Sequence, residues 1–232
     1  MPLPVAALDS IEYSRAASSL TVPNEDAAAR KVESWPAFLF GALLAVTWTF
    51  FALANLASWR HTHRPTGLGA SLLELTAAVF FLLRRPARVT SSSFVAWGAT
   101  ALLTFGMLAA RPGGEPVAGL ATASAALQLL GWGLAVVCLA TLGRSFGLVA
   151  ANRGIVTNGP YRLVRHPIYS CYLLTQAGYL LENPTARNCA VIFGTIFFQL
   201  VRIRTEEQCL EQDEEYVAYR RRVRWRLIPR LY

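Results

Sequence analysis

The chain has 232 residues, is 54% hydrophobic and only 16% charged, and carries a formal net charge of +8. Soluble domains average about 25% charged residues, and here the apolar residues fall in long blocks, which excludes an ordinary soluble domain. Every lysine or arginine except Lys31 is an arginine, and most lie in loops between apolar blocks. Membrane topology and anionic headgroups account for such a charge, and no nucleic acid partner is expected.

Residues 1–36 are polar, small and mixed in charge, and read as a cytoplasmic tail with a short surface helix near residues 27–32. They lack a basic n-region followed by an apolar core, so no cleavable signal peptide is expected. Residues 37–57 contain no charge and are long enough to cross a hydrocarbon core of about 30 Å. Residues 66–83, 94–110 and 117–142 are the next three spanning candidates, and Gly131-Trp132-Gly133 in the last offers close helix approach. A polar connector, 143–165, follows. Two short apolar helices, 168–181 and 188–201, then form a hairpin, each roughly 20 Å long. The second is expected to run on as an amphipathic stretch through Arg222, and Pro229 ends anything helical.

These elements predict an all-α, polytopic integral membrane protein with about five to six transmembrane helices, a short C-terminal helical hairpin and an amphipathic cytosolic tail. Its expected divisions are a tail (1–36), a four-helix membrane region (37–142), and a connector, hairpin and C-terminal segment (143–232). Arginines cluster after the second, fourth and sixth segments. The positive-inside rule puts those loops and both termini in the cytosol. The arginine-rich, lysine-poor composition suggests a bacterial inner membrane.

Polar chemistry concentrates in two places. Tyr161-Arg162-Leu163-Val164-Arg165-His166-Pro167-Ile168-Tyr169 opens the hairpin, and Arg202-Ile203-Arg204-Thr205-Glu206-Glu207 closes it. Proline suits a first helical turn, whose free N–H groups can hold an anion. Tyr169 and Tyr172 lie near one helix face and could hold a cation, although an interfacial aromatic anchor with a capping histidine fits the same residues. Glu206 and Glu207 point about 100° apart on a helix, so one of them faces a given pocket. Such a carboxylate could bind ribose hydroxyls or an ammonium, act as a base, or pair with a nearby arginine. Glu74 is a lone carboxylate in the second apolar block, a functional candidate or a partner for an arginine or Gln128. Cys138, Cys171, Cys189 and Cys209 lack CxxC spacing, and His61 and His63 lack further ligands, so no metal site is expected.

Gly159-Pro160-Tyr161-Arg162, Arg165-His166-Pro167-Ile168-Tyr169, Glu206-Glu207, Tyr216, Tyr219 and Ile228-Pro229, with Leu142-Gly143-Arg144-Ser145-Phe146 upstream, resemble the isoprenylcysteine carboxyl methyltransferase and phospholipid methyltransferase superfamily, in particular its bacterial members. The resemblance covers residues 139–232. It implies an integral membrane enzyme using S-adenosylmethionine, held in a cytosol-facing pocket formed by the last helices and their connectors. By that analogy His166, Pro167 and Tyr169 contact the cofactor, Glu207 closes the pocket, and Arg165 and Tyr161 shape the connector. Glu206 and Arg220 are the candidate catalytic residues, Arg220 by orienting an acidic acceptor.

The implied partners are membrane lipids and a lipid-like or small amphiphilic acceptor. A carboxyl acceptor needs no general base, whereas an amine must lose a proton, which gives Glu206 or Glu207 a role. Two positions depart from the family pattern. Cys171 stands where glycine is frequent, and Asp213-Glu214 replaces a glycine before the Tyr-x-x-Tyr segment. A reductase resembling the steroid 5-alpha-reductases, using NADPH, and a non-catalytic membrane scaffold are the competing readings.

Overall fold

The computed structural model describes residues 25–85, 89–90, 93–148 and 151–232. Most of the expected tail therefore lies outside the described residues, as does Arg88. The chain divides into two compact units, 1–39 and 40–232. Among the described residues there are seven α-helices: α1 (Glu25–Thr62), α2 (Thr66–Leu83), α3 (Phe94–Gly106), α4 (Ala121–Leu142), α5 (Pro167–Glu182), α6 (Ala186–Leu210) and α7 (Glu214–Arg222). Short 3-10 turns follow α3 and α4 and another occupies Gly159–Arg162. Two two-residue strands, β1 (Val89–Thr90) and β2 (Ala151–Asn152), pair antiparallel.

The protein is an all-α polytopic membrane protein. Four stretches are long and apolar enough to cross a bilayer: Phe38–Thr62, Thr66–Leu83, Ala121–Ser145 and Ala186–Leu210. The apolar helix Phe94–Ala109 is shorter. Large apolar side chains such as Leu43, Val46, Phe50, Leu72, Leu75, Val79 and Phe193 remain exposed, as they must be if hydrocarbon is their solvent.

Two expectations need correction. The expected surface helix near residues 27–32 is continuous with the first span, since α1 runs unbroken from Glu25. As expected, the second hairpin helix runs past its apolar part: α6 has 25 residues against 16 in α5. The apolar pattern ends at Val201, but the charges beyond it find partners inside the protein, so nothing terminates the helix there. The second correction is that α6 does not continue to Arg222. It ends at Leu210, and Asp213 starts α7 by accepting a hydrogen bond from Glu215 N at 2.9 Å.

The most extensive helix contact among the described residues is between α4 and α5, and small residues make it possible. A Cβ at Gly131 would lie 2.5 Å from Thr175 Cγ2 and 2.9 Å from the Cys171 carbonyl oxygen. Across the same seam, a Cβ at Gly178 would lie 2.7 Å from the Ser124 carbonyl oxygen. Ser124 Oγ donates to the Gly178 carbonyl at 2.8 Å, and Gln128 donates to Glu182 at 2.9 Å. Such polar clamps suit helices that have no hydrophobic drive to associate in lipid. Phe81, Leu139 and Ala135 pack in the core beside this seam.

Among the described residues, Glu74 pairs neither with an arginine nor with Gln128. Both its oxygens accept from Asn55 on α1, at 3.1 and 3.0 Å.

Arg85 N donates to the Arg144 carbonyl at 2.8 Å, and Arg144 Nε to the Leu83 carbonyl at 3.0 Å. These bonds and the β1–β2 pair hold the loops after α2 and α4 together at one end of the bundle.

Gly131→Ala should therefore destabilise the protein by about 1–3 kcal/mol through overpacking. Gly133→Ala, with nothing within 4 Å of its added carbon, should leave stability unchanged. Thermal unfolding of the two variants in detergent checks the contrast.

Candidate active site

At that end of the bundle the chain folds back on itself. Arg165 N donates to the Trp225 carbonyl and His166 N to the Arg226 carbonyl, both at 2.9 Å. Ser170 Oγ donates to the Leu227 carbonyl at 2.6 Å, and Tyr219 OH to the Tyr161 carbonyl at 2.7 Å. These bonds bind the segment before α5 to α7 and the residues after it. Asn152 adds the connector, donating to Asp213 Oδ2 at 2.7 Å.

Glu207 lies at the centre of this arrangement and is 2% exposed. Its Oε1 accepts from Arg165 Nε at 2.8 Å and lies 3.2 Å from His166 Nε2. Its Oε2 accepts from Arg226 Nε at 2.9 Å, with Arg226 Nη2 2.8 Å away. Arg165 Nη1 also donates to the carbonyls of Val223 and Arg224, at 2.9 and 2.7 Å. One carboxylate thus draws three basic groups from two separate parts of the chain.

Beside this cluster is a cavity of about 80 Å³ that opens into a cleft of about 610 Å³, counting solvent-open space. Its walls come from the end of α4 and the connector, including Ser145, Gly147, Arg153, Ile155 and Val156. Tyr161, Arg165 and His166 form a further wall, facing Arg202, Glu206 and Leu210 of α6 and Tyr216 and Tyr219 of α7.

The two glutamates separate as their spacing requires. Glu206 lines the cleft, whereas Glu207 lies behind the lining. Glu206 Oε2 accepts from Tyr169 OH at 3.1 Å and lies 3.5 Å from Arg202 Nε. Both contacts use one oxygen, so Oε1 is left without a hydrogen-bond partner among the described residues.

Of the residues expected from sequence, the cleft brings together Tyr161, Arg165, His166 and Glu206. No residue of α5 lines it, so Pro167 and Tyr169 stand outside, Tyr169 reaching it only through Glu206. The first turn of α5 is used internally, with Tyr169 N donating to the His166 carbonyl at 3.1 Å. Tyr172 packs edge-on against Tyr169 and does not line the cleft. Arg220 is exposed on α7 and pairs with Glu211.

Sequence reading did not single out Arg153, a loop arginine that is only 9% exposed and lines the cleft. Its guanidinium lies over Gly147, where a Cβ would come within 2.3 Å of Nη1. Burial, then the charges of Arg84 and Arg202, lower its pKa to about 10, so it stays cationic at neutral pH. The one available signal was a glycine six residues upstream of a connector arginine, which is too weak to use alone.

Burial raises the pKa of the Tyr161 and Tyr216 hydroxyls, and that of Tyr219 to about 12, which keeps all three protonated. Tyr216 is 2% exposed and its hydroxyl has no partner among the described residues. A buried hydroxyl left this way in a cleft wall is suited to a ligand. The cleft therefore combines a carboxylate oxygen, two guanidinium groups from Arg153 and Arg202, and a polar hydroxyl, between apolar walls.

Fold and cleft together define a polytopic helical membrane protein with a cleft lined by charged and tyrosyl groups at one end of its bundle. Residues 124–212 match the isoprenylcysteine carboxyl methyltransferase (ICMT) family. The chain is 35% identical over 106 residues to protein-S-isoprenylcysteine O-methyltransferase B of Arabidopsis thaliana, covering 41% of this chain and 52% of the relative. It is 38% identical over 90 residues to the A form from the same plant, covering 34% and 44%. A similar match, 35% over 101 residues covering 40% and 46%, is to the cobalt-zinc-cadmium resistance protein CzcN of Cupriavidus metallidurans (strain ATCC 43123 / DSM 2839 / NBRC 102507 / CH34). The chain spans about half the length of these curated relatives.

Glu207→Gln should strand Arg165, His166 and Arg226 around a neutral amide and destabilise the protein by about 3–5 kcal/mol. Glu206→Gln, which keeps an acceptor for Tyr169 and loses only the charge of a half-buried group, should cost less, about 1 kcal/mol. Melting temperatures of the two variants in detergent check the difference.

Proposed function

We propose that the protein is an S-adenosylmethionine-dependent membrane methyltransferase. Its acceptor is a lipid-like or small amphiphilic molecule, carrying a carboxyl or amine group, at the cytosolic membrane face. The observation that carries this reading is the division of labour between the paired glutamates. Glu207 is consumed by Arg165, His166 and Arg226, while Glu206 presents an oxygen to a cleft with cationic and tyrosyl walls. The family match over residues 124–212 supports the same reading.

The residues fit the donor's groups. Glu206 would accept hydrogen bonds from ribose hydroxyls or the ammonium. Arg153 or Arg202 would neutralise the carboxylate, and Tyr216 would supply or receive one further hydrogen bond. The 80 Å³ cavity admits only part of such a molecule, so the remainder would lie along the open cleft. When bound, S-adenosylmethionine supplies an electrophilic methyl group. The chain's contribution is then alignment and exclusion of water, which can account for much of a displacement rate. For an amine acceptor, Glu206 is also placed to take a proton. Arg220, exposed and paired with Glu211, takes no part in this reading.

Calorimetry of the detergent-purified protein with S-adenosylhomocysteine and with NADPH tests it. S-adenosylhomocysteine alone should bind, and Glu206→Gln should weaken it about tenfold or more. Binding of NADPH alone would move the protein to the reductase class. Binding of neither, in folded protein, would favour a non-catalytic scaffold or a site that needs its acceptor first.

A further inference from the structure

We infer that Thr100 of α3 is a positioning residue for the cleft carboxylate of Glu206, acting through Arg202 and Tyr169. The inference rests on the methyl-donor reading of the cleft, but Thr100 lies outside the region that matches the family.

A threonine in an apolar helix usually turns its hydroxyl back onto the carbonyl four residues earlier. Thr100 does so, donating to the Ala96 carbonyl at 2.7 Å. That bond uses its only hydrogen and leaves its oxygen as an acceptor. Arg202 Nη1 donates to that oxygen from α6. Both residues are buried, Thr100 4% and Arg202 3% exposed. Arg202 Nε donates in turn to Tyr169 OH at 3.2 Å, and Tyr169 OH donates to Glu206 Oε2 at 3.1 Å.

The donors all point one way. Ala96 fixes the Thr100 hydrogen, Thr100 anchors one end of the guanidinium, and the guanidinium leaves the tyrosyl hydrogen for the carboxylate. Oε2 is thereby occupied and Oε1 is the oxygen left for a ligand. Removing Thr100 would free the Arg202 fork to turn, and with it the orientation of Glu206. An apolar helix of the amino-terminal bundle thus helps to set the geometry of a cleft built from the other end of the chain.

Thr100→Val keeps the shape and removes the acceptor, and Thr100→Ser restores it. S-adenosylhomocysteine affinity should fall about tenfold in Thr100→Val and stay within about twofold of wild type in Thr100→Ser. Ser124→Ala, which removes a buried bond in the α4–α5 seam, should lower the melting temperature and leave affinity unchanged. Without ligand, Thr100→Val and Glu206→Gln should be non-additive in thermal stability. Wild-type affinity in Thr100→Val, equal losses in the valine and serine variants, or additive stabilities would each overturn the inference. A wild-type protein that binds no S-adenosylhomocysteine but shows the non-additivity would refute the methyl-donor reading and leave the polar chain standing.

Discussion

The buried carboxylate of Glu207 is the constraint on which the C-terminal architecture depends. A lone buried charge of this kind is costly, and it is tolerable only when its hydrogen-bonding capacity is met. Arg165 and His166 arrive from the connector, Arg226 from beyond α7, and α6 supplies the carboxylate. The backbone pairing of residues 165–166 with 225–226 brings the basic groups to one point. Arg165 then uses its remaining donors on the Val223 and Arg224 carbonyls, so the same side chain also fixes the chain's exit from α7.

From that knot follows the polarity of the cleft. Adjacent positions on α6 diverge, so burying Glu207 turns Glu206 toward the opening. Tyr169 and Arg202 hold one oxygen of Glu206 and leave the other. The connector closes the opposite wall through Asn152, whose amide reaches the cap of α7, and through Arg153 lying over Gly147. Ion pairing thus contributes less as net stabilisation than as a specification of which groups face inward and which face a ligand. Arginine suits this task because its planar fork can bridge a carboxylate and backbone carbonyls at once.

Much of this was legible in the sequence because hydropathy dictates it. The first four apolar blocks became helices, and Arg165, His166, Glu206 and Glu207 were singled out as neighbours of a site. What escaped was the consequence of partners distant in sequence. The run of α6 past Val201 was expected, but not that its charges turn inward, Arg202 against Thr100 and Glu207 against Arg165, nor that it ends at Leu210. The same blindness hid Arg153, which reads as a topology-setting loop charge, and Asp213, whose capping role breaks the expected continuous helix. Tyr169 and Pro167 stand apart from the other motif residues. Their motif position suggests direct contact with a ligand, and neither is among the residues that line the cleft, Tyr169 reaching it through Glu206. Hydropathy reports which segments enter the membrane, whereas the direction of each polar side chain depends on tertiary pairing.

The most direct test of the account is where a bound methyl donor lies. Photolabelling with radioactive S-adenosylmethionine, followed by peptide mapping of the detergent-purified protein, reports this without assuming an acceptor. The account predicts label within residues 145–166 or 202–219, abolished by excess S-adenosylhomocysteine. Competable label confined to α1, α2 or α3, or an absence of competable label in folded protein, would contradict it.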